Sequence, residues 1–315
     1  MKTLKPIRLK ESYFENIEKA INKFFLDNVF LPINNDLKRF LNEKINAINP
    51  LVEAILKNKV QLIDNKLEGS FNSTLVKEIK KLGGRYNKIT NQWAIPTDNL
   101  TPDLIMASVS SKRAIEKISN KIISMLDNLD IEQKINDLDL TGLYTQNFMQ
   151  VNEEIELTAK DIMVMPKLSK DAIEVMASDY SNNLKLYIKN FTNENILELR
   201  KKVLDNVNKG NRASSLVDII QRNYSVSKSK AKFLARQETS LAMASFRKER
   251  YKDLGVVKYR WSTSQDQRVR DRHQALHGKI FFYDNPPIVD DKGNRANPSQ
   301  DFGCRCVDIP ILEAI

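Results

Sequence analysis

Apolar side chains recur at intervals of three and four along most of this 315-residue chain, an interval that puts them on one face of a helix. Phe14, Ile17, Ile21, Phe24 and Phe25 form the first stripe, from Glu11 to Leu31, and Pro32 is expected to end it. Leu37, Phe40, Leu41, Ile45 and Ile48 repeat the pattern up to Pro50, and Leu51 to Leu56 continue it. Burial in a core is the expected use of this aromatic stripe. Ile115, Ile118, Ile122 and Ile123 mark a helix over Ala107–Met125, and spacing predicts two more, over Asp171–Leu186 and Asn193–Val207. Gly210 is expected to break the pattern, with Ser214 or Ser215 capping a helix through Gln221. Tyr224-Ser225-Val226-Ser227 reads as a turn before a long helix, Lys228–Tyr251, that turns Ala231, Leu234, Ala235, Leu241, Ala242 and Phe246 inward.

The interval shortens to two in only two places. Val60–Ile63 reads as a strand and Asp64-Asn65-Lys66 as a turn. Leu67–Phe71 is a second extended piece, and Thr74–Leu82 a helix stopped by Gly83-Gly84. Arg85–Lys88 and Gln92–Pro96 complete a hairpin. After Gly255, Val256, Val257, Tyr259 and Trp261 begin a strand, followed by Ile280–Tyr283 and Cys306–Pro310. The expected fold is mainly α with a small α/β insertion and an α+β C-terminal domain. The expected segments are 1–59 (helical), 60–97 (insertion), 98–208 (helical) and 209–315 (C-terminal domain).

At 29% charged and 41% hydrophobic the chain is neither disordered nor membrane-like in composition. No run of about 18 apolar residues occurs, so no transmembrane span is expected. Met1–Pro6 is basic but no apolar signal core follows, which predicts a protein used or assembled inside a cell. Charge is unevenly spread. Between Lys209 and Arg260 there are 13 Lys/Arg against 4 acids, whereas Asp127–Asp161 holds 9 acids against 2 lysines. Lys228, Lys230, Lys232, Arg247 and Lys248 are the candidates for phosphate contacts, made by counterion release without reading a base sequence. A solvated helix face explains the same density equally well.

Both histidines, His273 and His277, and both cysteines, Cys304 and Cys306, lie within Trp261–Pro310. An i,i+2 disulfide is strained, because the α-carbons sit near the limit of disulfide reach. Zinc is the alternative and needs two further ligands. His273 is the first candidate, with His277, Asp266 or Asp301 as the fourth. Arg260 with Ser262-Thr263-Ser264 is similar to elements of ADP-ribosyltransferases, but the only later glutamate is Glu313, so the paired acids of that reaction are missing. A His273/Cys304 nucleophile lacks an orienting motif, and no Gly-rich phosphate loop occurs among nine glycines.

Three groups of residues occur together in order. Gly210-Asn211-Arg212-Ala213-Ser214-Ser215-Leu216 leads to Ala235-Arg236-Gln237-Glu238-Thr239. Trp261-Ser262-Thr263 precedes Asp266-Gln267-Arg268-Val269-Arg270, His273 and Leu276-His277-Gly278-Lys279. Pro298 precedes Cys304-Arg305-Cys306 and Pro310. This set resembles the C-terminal domain of the phage Mu F-like minor head proteins, the head morphogenesis proteins of tailed phages, over about 110 residues. The motif positions are Arg236, Glu238, Asp266, Arg268, His273, Gly278, Cys304, Arg305 and Cys306.

The resemblance implies a non-enzymatic virion component inside the capsid at the portal vertex, assembled in the host cytoplasm. Its implied partners are the portal protein, a scaffold or major capsid protein, and double-stranded DNA bound without sequence preference during assembly and genome delivery; no membrane is implied. Many members carry Cys at the positions of Arg270 and His273, and His at that of Asp301. Here the surviving metal candidates are His273, Cys304 and Cys306, with Asp301 beside them, and a structural zinc is the one cofactor to test. Two other classes stay open at this point: an enzyme or toxin domain using Arg236, Glu238 and His273, and a cellular nucleic-acid-binding protein with a structural zinc.

Overall fold

The computed structural model describes residues 2–41, 49–209, 211 and 213–312. The expected helical positions Ile45 and Ile48, and the expected breaker Gly210, lie outside them. Strand β1 (Lys2–Thr3) leads to α1 (Glu11–Phe25), a π-helical turn (Leu26–Phe30), α2 (Leu31–Leu41) and α3 (Pro50–Leu56). Then come β2 (Val60–Ile63), β3 (Lys66–Gly69), α4 (Ser73–Lys81), β4 (Arg85–Asn87) and β5 (Gln92–Ala94). Five helices follow: α5 (Pro102–Asp127), α6 (Ile131–Asn136), α7 (Thr141–Ala159), α8 (Lys170–Asn208) and α9 (Ala213–Asp253). The last elements are β6 (Lys258–Ser262), α10 (Asp271–Leu276), β7 (Ile280–Phe282) and β8 (Val307–Leu312). Among the described residues the fold is mainly α, with two small antiparallel sheets.

Two compact units are present. One comprises Phe24–Ile131 and Phe191–Ser227. Its sheet runs β2-β3-β5-β4, and Val60, Leu67 and Trp93 pack with Leu51 and Ile55 of α3, Ile79 of α4 and Leu104 of α5. Asn49 caps α3, accepting from the Leu51 amide at 2.8 Å, and Asn72 caps α4, accepting from Leu75 at 2.9 Å. Helix α4 ends at Gly83 with φ 72°, and the Gly84 amide reaches back to the Ile79 carbonyl at 2.9 Å.

Pro32 does not end the first helix. The Leu31 amide donates to Leu26, one residue beyond the α-helical partner, and Asn28 Nδ2 takes the Phe24 carbonyl at 3.0 Å. This π-turn shifts the hydrogen-bond register just where proline brings no amide hydrogen.

The other unit comprises Met1–Lys23, Glu132–Asn190 and Lys228–Ile315. Its sheet runs β1-β8-β6-β7, with Tyr259 opposite Pro310 and Lys258 opposite Phe282. Phe148 of α7 stacks on Phe246 of α9, ring centroids 4.6 Å apart. Arg250 of α9 is buried, with Nε donating to Asn152 Oδ1 at 2.7 Å and Nη2 to the Pro166 carbonyl at 2.9 Å.

Three expectations are corrected. Tyr224–Ser227 is helical, because Ser225 and Ser227 each donate to the carbonyl four residues back at 3.1 Å instead of competing with the helix. One helix therefore runs from Ala213, which places Ser214 and Ser215 inside it rather than at its cap. The two helices expected between Asp171 and Val207 are one, α8, since no Gly or Pro interrupts it. The stripe Phe14, Ile17, Ile21, Phe24 and Phe25 is buried, as core residues are.

Candidate metal centre

Helix α10 presents His273, and the segment before β8 presents Cys304 and Cys306. Tight turns bring them together: Gly303 has φ 61° and its amide donates to Gln237 Oε1 of α9 at 2.8 Å. Ser299 Oγ donates to the Cys306 carbonyl at 2.8 Å. His273 Nδ1 stands 3.6 Å from each sulfur, and all three donor atoms lie within 4.8 Å of one another. All three residues are buried. The Cys306 amide donates to Cys304 Sγ at 3.4 Å, and the Trp261 ring meets the imidazole edge-on at 5.5 Å.

The thiols do not behave alike. The Cys306 thiol beside Cys304, opposed by burial and helped by His273, brings Cys304 down to about 5. Cys306 is pushed up by the neighbouring Cys304 sulfur and by burial. His273 is raised by its contact with Cys304, against burial. These shifts favour the thiolate form at Cys304 and the thiol form at Cys306.

The zinc raised by the cysteine and histidine spacing fits these residues. Zinc–sulfur and zinc–nitrogen bonds of about 2.3 and 2.0–2.1 Å at a tetrahedral angle put S and N about 3.6 Å apart. That is the spacing found between His273 and both cysteines. Asp301 is not a fourth ligand in this arrangement. Its Oδ2 lies 3.0 Å from His273 Nε2, the ring edge away from the sulfurs, where a carboxylate orients a metal-binding imidazole. Arg270 Nη1 in turn donates to Asp301 Oδ2 at 2.6 Å. His277 is spent elsewhere, its Nδ1 accepting from the Thr263 amide at 3.1 Å. Asp266 receives both Nη groups of Arg305 at 2.6 Å.

Of the other motif residues, Arg236 and Arg305 lie beside Cys304. Arg236 pairs with Glu11 and lies over the Phe14 ring at 5.3 Å. Together with Arg8, Phe233, Gln237 and Arg305 it lines a cleft of about 390 Å³ next to Cys304. Glu238 is half-buried, and burial raises its carboxyl. Gly278, at φ 79°, donates to the Trp261 carbonyl at 2.8 Å and closes the turn after α10.

The basic candidates separate. Lys228 and Lys232 are exposed one helical turn apart, while Lys230 lies over Phe233 at 5.3 Å. Lys248 pairs with Asp284 at 3.0 Å. Arg247 is buried against Asp308, so it is not available to a phosphate backbone. The roles of Arg270 and Gln237 were not readable from spacing: their partners lie 31 and 66 residues away, and no local pattern links them.

Residues 197–309 match the profile of the family described as Phage Mu protein F like protein. This segment is Mu F-like. The Mu F-like segment contains His273, Cys304 and Cys306, the motif arginines and the exposed lysine pair. The chain is also similar to an uncharacterized protein of Haemophilus influenzae (strain ATCC 51907 / DSM 11121 / KW20 / Rd), 30% identical over 169 residues, or 53% of this chain. It spans about a third of that protein's length, 36%. No solved structure matches it. Among the described residues no helix is long and apolar enough to cross a membrane.

Proposed function

We propose that this is a minor head protein of a tailed bacteriophage, held inside the capsid at the portal vertex, that aids procapsid assembly and touches packaged DNA. The observation that carries the reading is the Mu F-like segment, within which His273, Cys304 and Cys306 converge. Its role is assembly rather than catalysis. In support, the His273 side chain is 3% exposed, with one ring nitrogen facing two sulfurs and the other Asp301. The portal protein and a scaffold or major capsid protein are the expected partners. DNA contact rests on Lys228 and Lys232, which share an exposed face of α9.

Co-expression with the portal protein of the same genome tests the assignment: the chain should co-purify with portal rings and appear in procapsids. Its absence from both would remove the reading. Replacing Lys228 and Lys232 by Gln tests the DNA contact separately. Each lost phosphate contact lowers the slope of log affinity against log salt by about 0.9, so the pair should lower it by about 2. An unchanged slope with unchanged affinity refutes contact through these lysines.

A further inference from the structure

Two sulfurs and one imidazole cover three directions around a tetrahedral ion and leave a fourth. The described side chains able to fill it are committed: Asp301 to Arg270 and His273, Asp266 to Arg305, and His277 to Thr263. A small cavity adjoins these three residues. A space of about 50 Å³ lies against His273, Cys304 and Cys306, and its remaining wall includes Arg268, Arg270, Arg305 and Ser264. A water needs about 10–15 Å³, so this volume admits a small polyatomic group.

Charge decides which ligand. A divalent ion with two thiolates and a neutral imidazole sums to zero, while the cavity wall carries three guanidinium groups. Arg270 and Arg305 are each balanced by an aspartate. Arg268 is 80% exposed and only 4.0 Å from Asp266, leaving its donors available. An anion is therefore favoured over a neutral ligand, and the planar guanidinium fork suits a tetrahedral oxyanion.

We propose that His273, Cys304 and Cys306 hold a zinc-class ion whose fourth position is kept for an oxyanion of the phosphate class, recruited from the arginine-lined cavity. The ligand is free phosphate or the terminal phosphate of a nucleic-acid strand, which share this chemistry. The inference is independent of the virion assignment.

The test uses the full chain, freed of metal and titrated with Co²⁺, whose absorption reports thiolate ligation and coordination geometry. One Co²⁺ per chain should bind, with thiolate-to-cobalt absorption that Cys304→Ser removes. Inorganic phosphate should then shift the ligand-field bands saturably. Arg268→Ala, an exposed change, should keep Co²⁺ binding and weaken the phosphate effect by about tenfold or more. A 5′-phosphorylated oligonucleotide that shifts the bands where its unphosphorylated twin does not identifies a strand end as the source. A shift with inorganic phosphate alone identifies the free ion. Failure to bind Co²⁺ through thiolate, bands that ignore every phosphate, or an Arg268→Ala protein with unaltered phosphate response each overturns the proposal.

Discussion

Arg247 of α9 and Asp308 of β8 meet at 3.1 Å with both side chains out of solvent. Tyr283 Oη also donates to Asp308, at 2.6 Å, while Nε and Nη1 of Arg247 have no partner among the described residues. Burial pulls the arginine toward neutrality, and Asp308 with its tyrosine neighbours more than reverses that. The pair fastens the longest helix to the sheet. Removing one partner leaves a buried charge, so Arg247→Ala or Asp308→Ala should lower the unfolding free energy by about 3–5 kcal/mol. Arg247→Met combined with Asp308→Leu should regain most of it. Urea unfolding checks this, and a double variant as weak as the singles contradicts it.

Arg250 engages three partners that a lysine cannot match: Asn152, Asp253 and the Pro166 carbonyl. Arg250→Lys keeps the charge and loses the planar fork. It should cost about 1–3 kcal/mol, read from the same unfolding curves. Arg268→Lys, at an exposed position, should shift the midpoint little.

Gly69 ends β3 with φ 142°, and a Cβ there would sit 2.3 Å from the Lys59 carbonyl oxygen. Gly69→Ala meets both backbone strain and a backbone clash, and should destabilise the β2–β3 unit by about 1–3 kcal/mol. Hydrogen exchange at Val60 and Leu67 should rise. Gly293, at φ 84° with nothing within 4 Å, carries strain alone, so its alanine variant should be the milder.

The Arg305 guanidinium holds the Asp266 carboxyl at about 2, below its ordinary 3.8, against desolvation and with help from the Arg268 amide. A depressed folded value means the contribution is complete above the unfolded value near 3.8. It is lost as pH falls toward about 2. NMR titration of the side-chain carboxyl should show this midpoint, and Arg305→Gln should move it up toward 3.8. A midpoint unmoved by that change would rule out the pairing in solution.

Much of the architecture is readable from local pattern. Val60 and Leu62 alternate with less buried neighbours, so β2 shows as a strand, and Ile115, Ile118 and Ile122 recur as one face of α5. Gly83 marks the end of α4 because its backbone adopts a conformation that side chains resist. Strand β1, only two residues long, and the single-turn α10 are too short to show a period. Ser225 and Ser227 mislead because a hydroxyl bonded four residues back leaves no trace in residue type. Arg247 misleads for a related reason: arginine is seldom buried, and the aspartate that permits it lies 61 residues on.

For the candidate site, scarcity of residues was the useful signal. The chain's two thiols and two imidazoles fall within fifty-odd positions, and three of those four side chains converge. Spacing could not choose among His277, Asp266 and Asp301 as the further ligand, since all three lie within reach in sequence. Folding assigns each a different partner and gives Asp301 to the back of His273, with Arg270 behind it.

The sequence by itself determined the helix-rich class, the two short-period regions, the Mu F-like motif order and the residues able to bind a soft metal. Each of these depends on side-chain type and near-neighbour spacing. The tertiary structure alone decided which cations are buried, which carboxylate orients the imidazole, and that an arginine-lined cavity faces the cluster. Those outcomes depend on charges and donors brought together across tens of residues, where burial makes an unpartnered group costly and so selects the pairing.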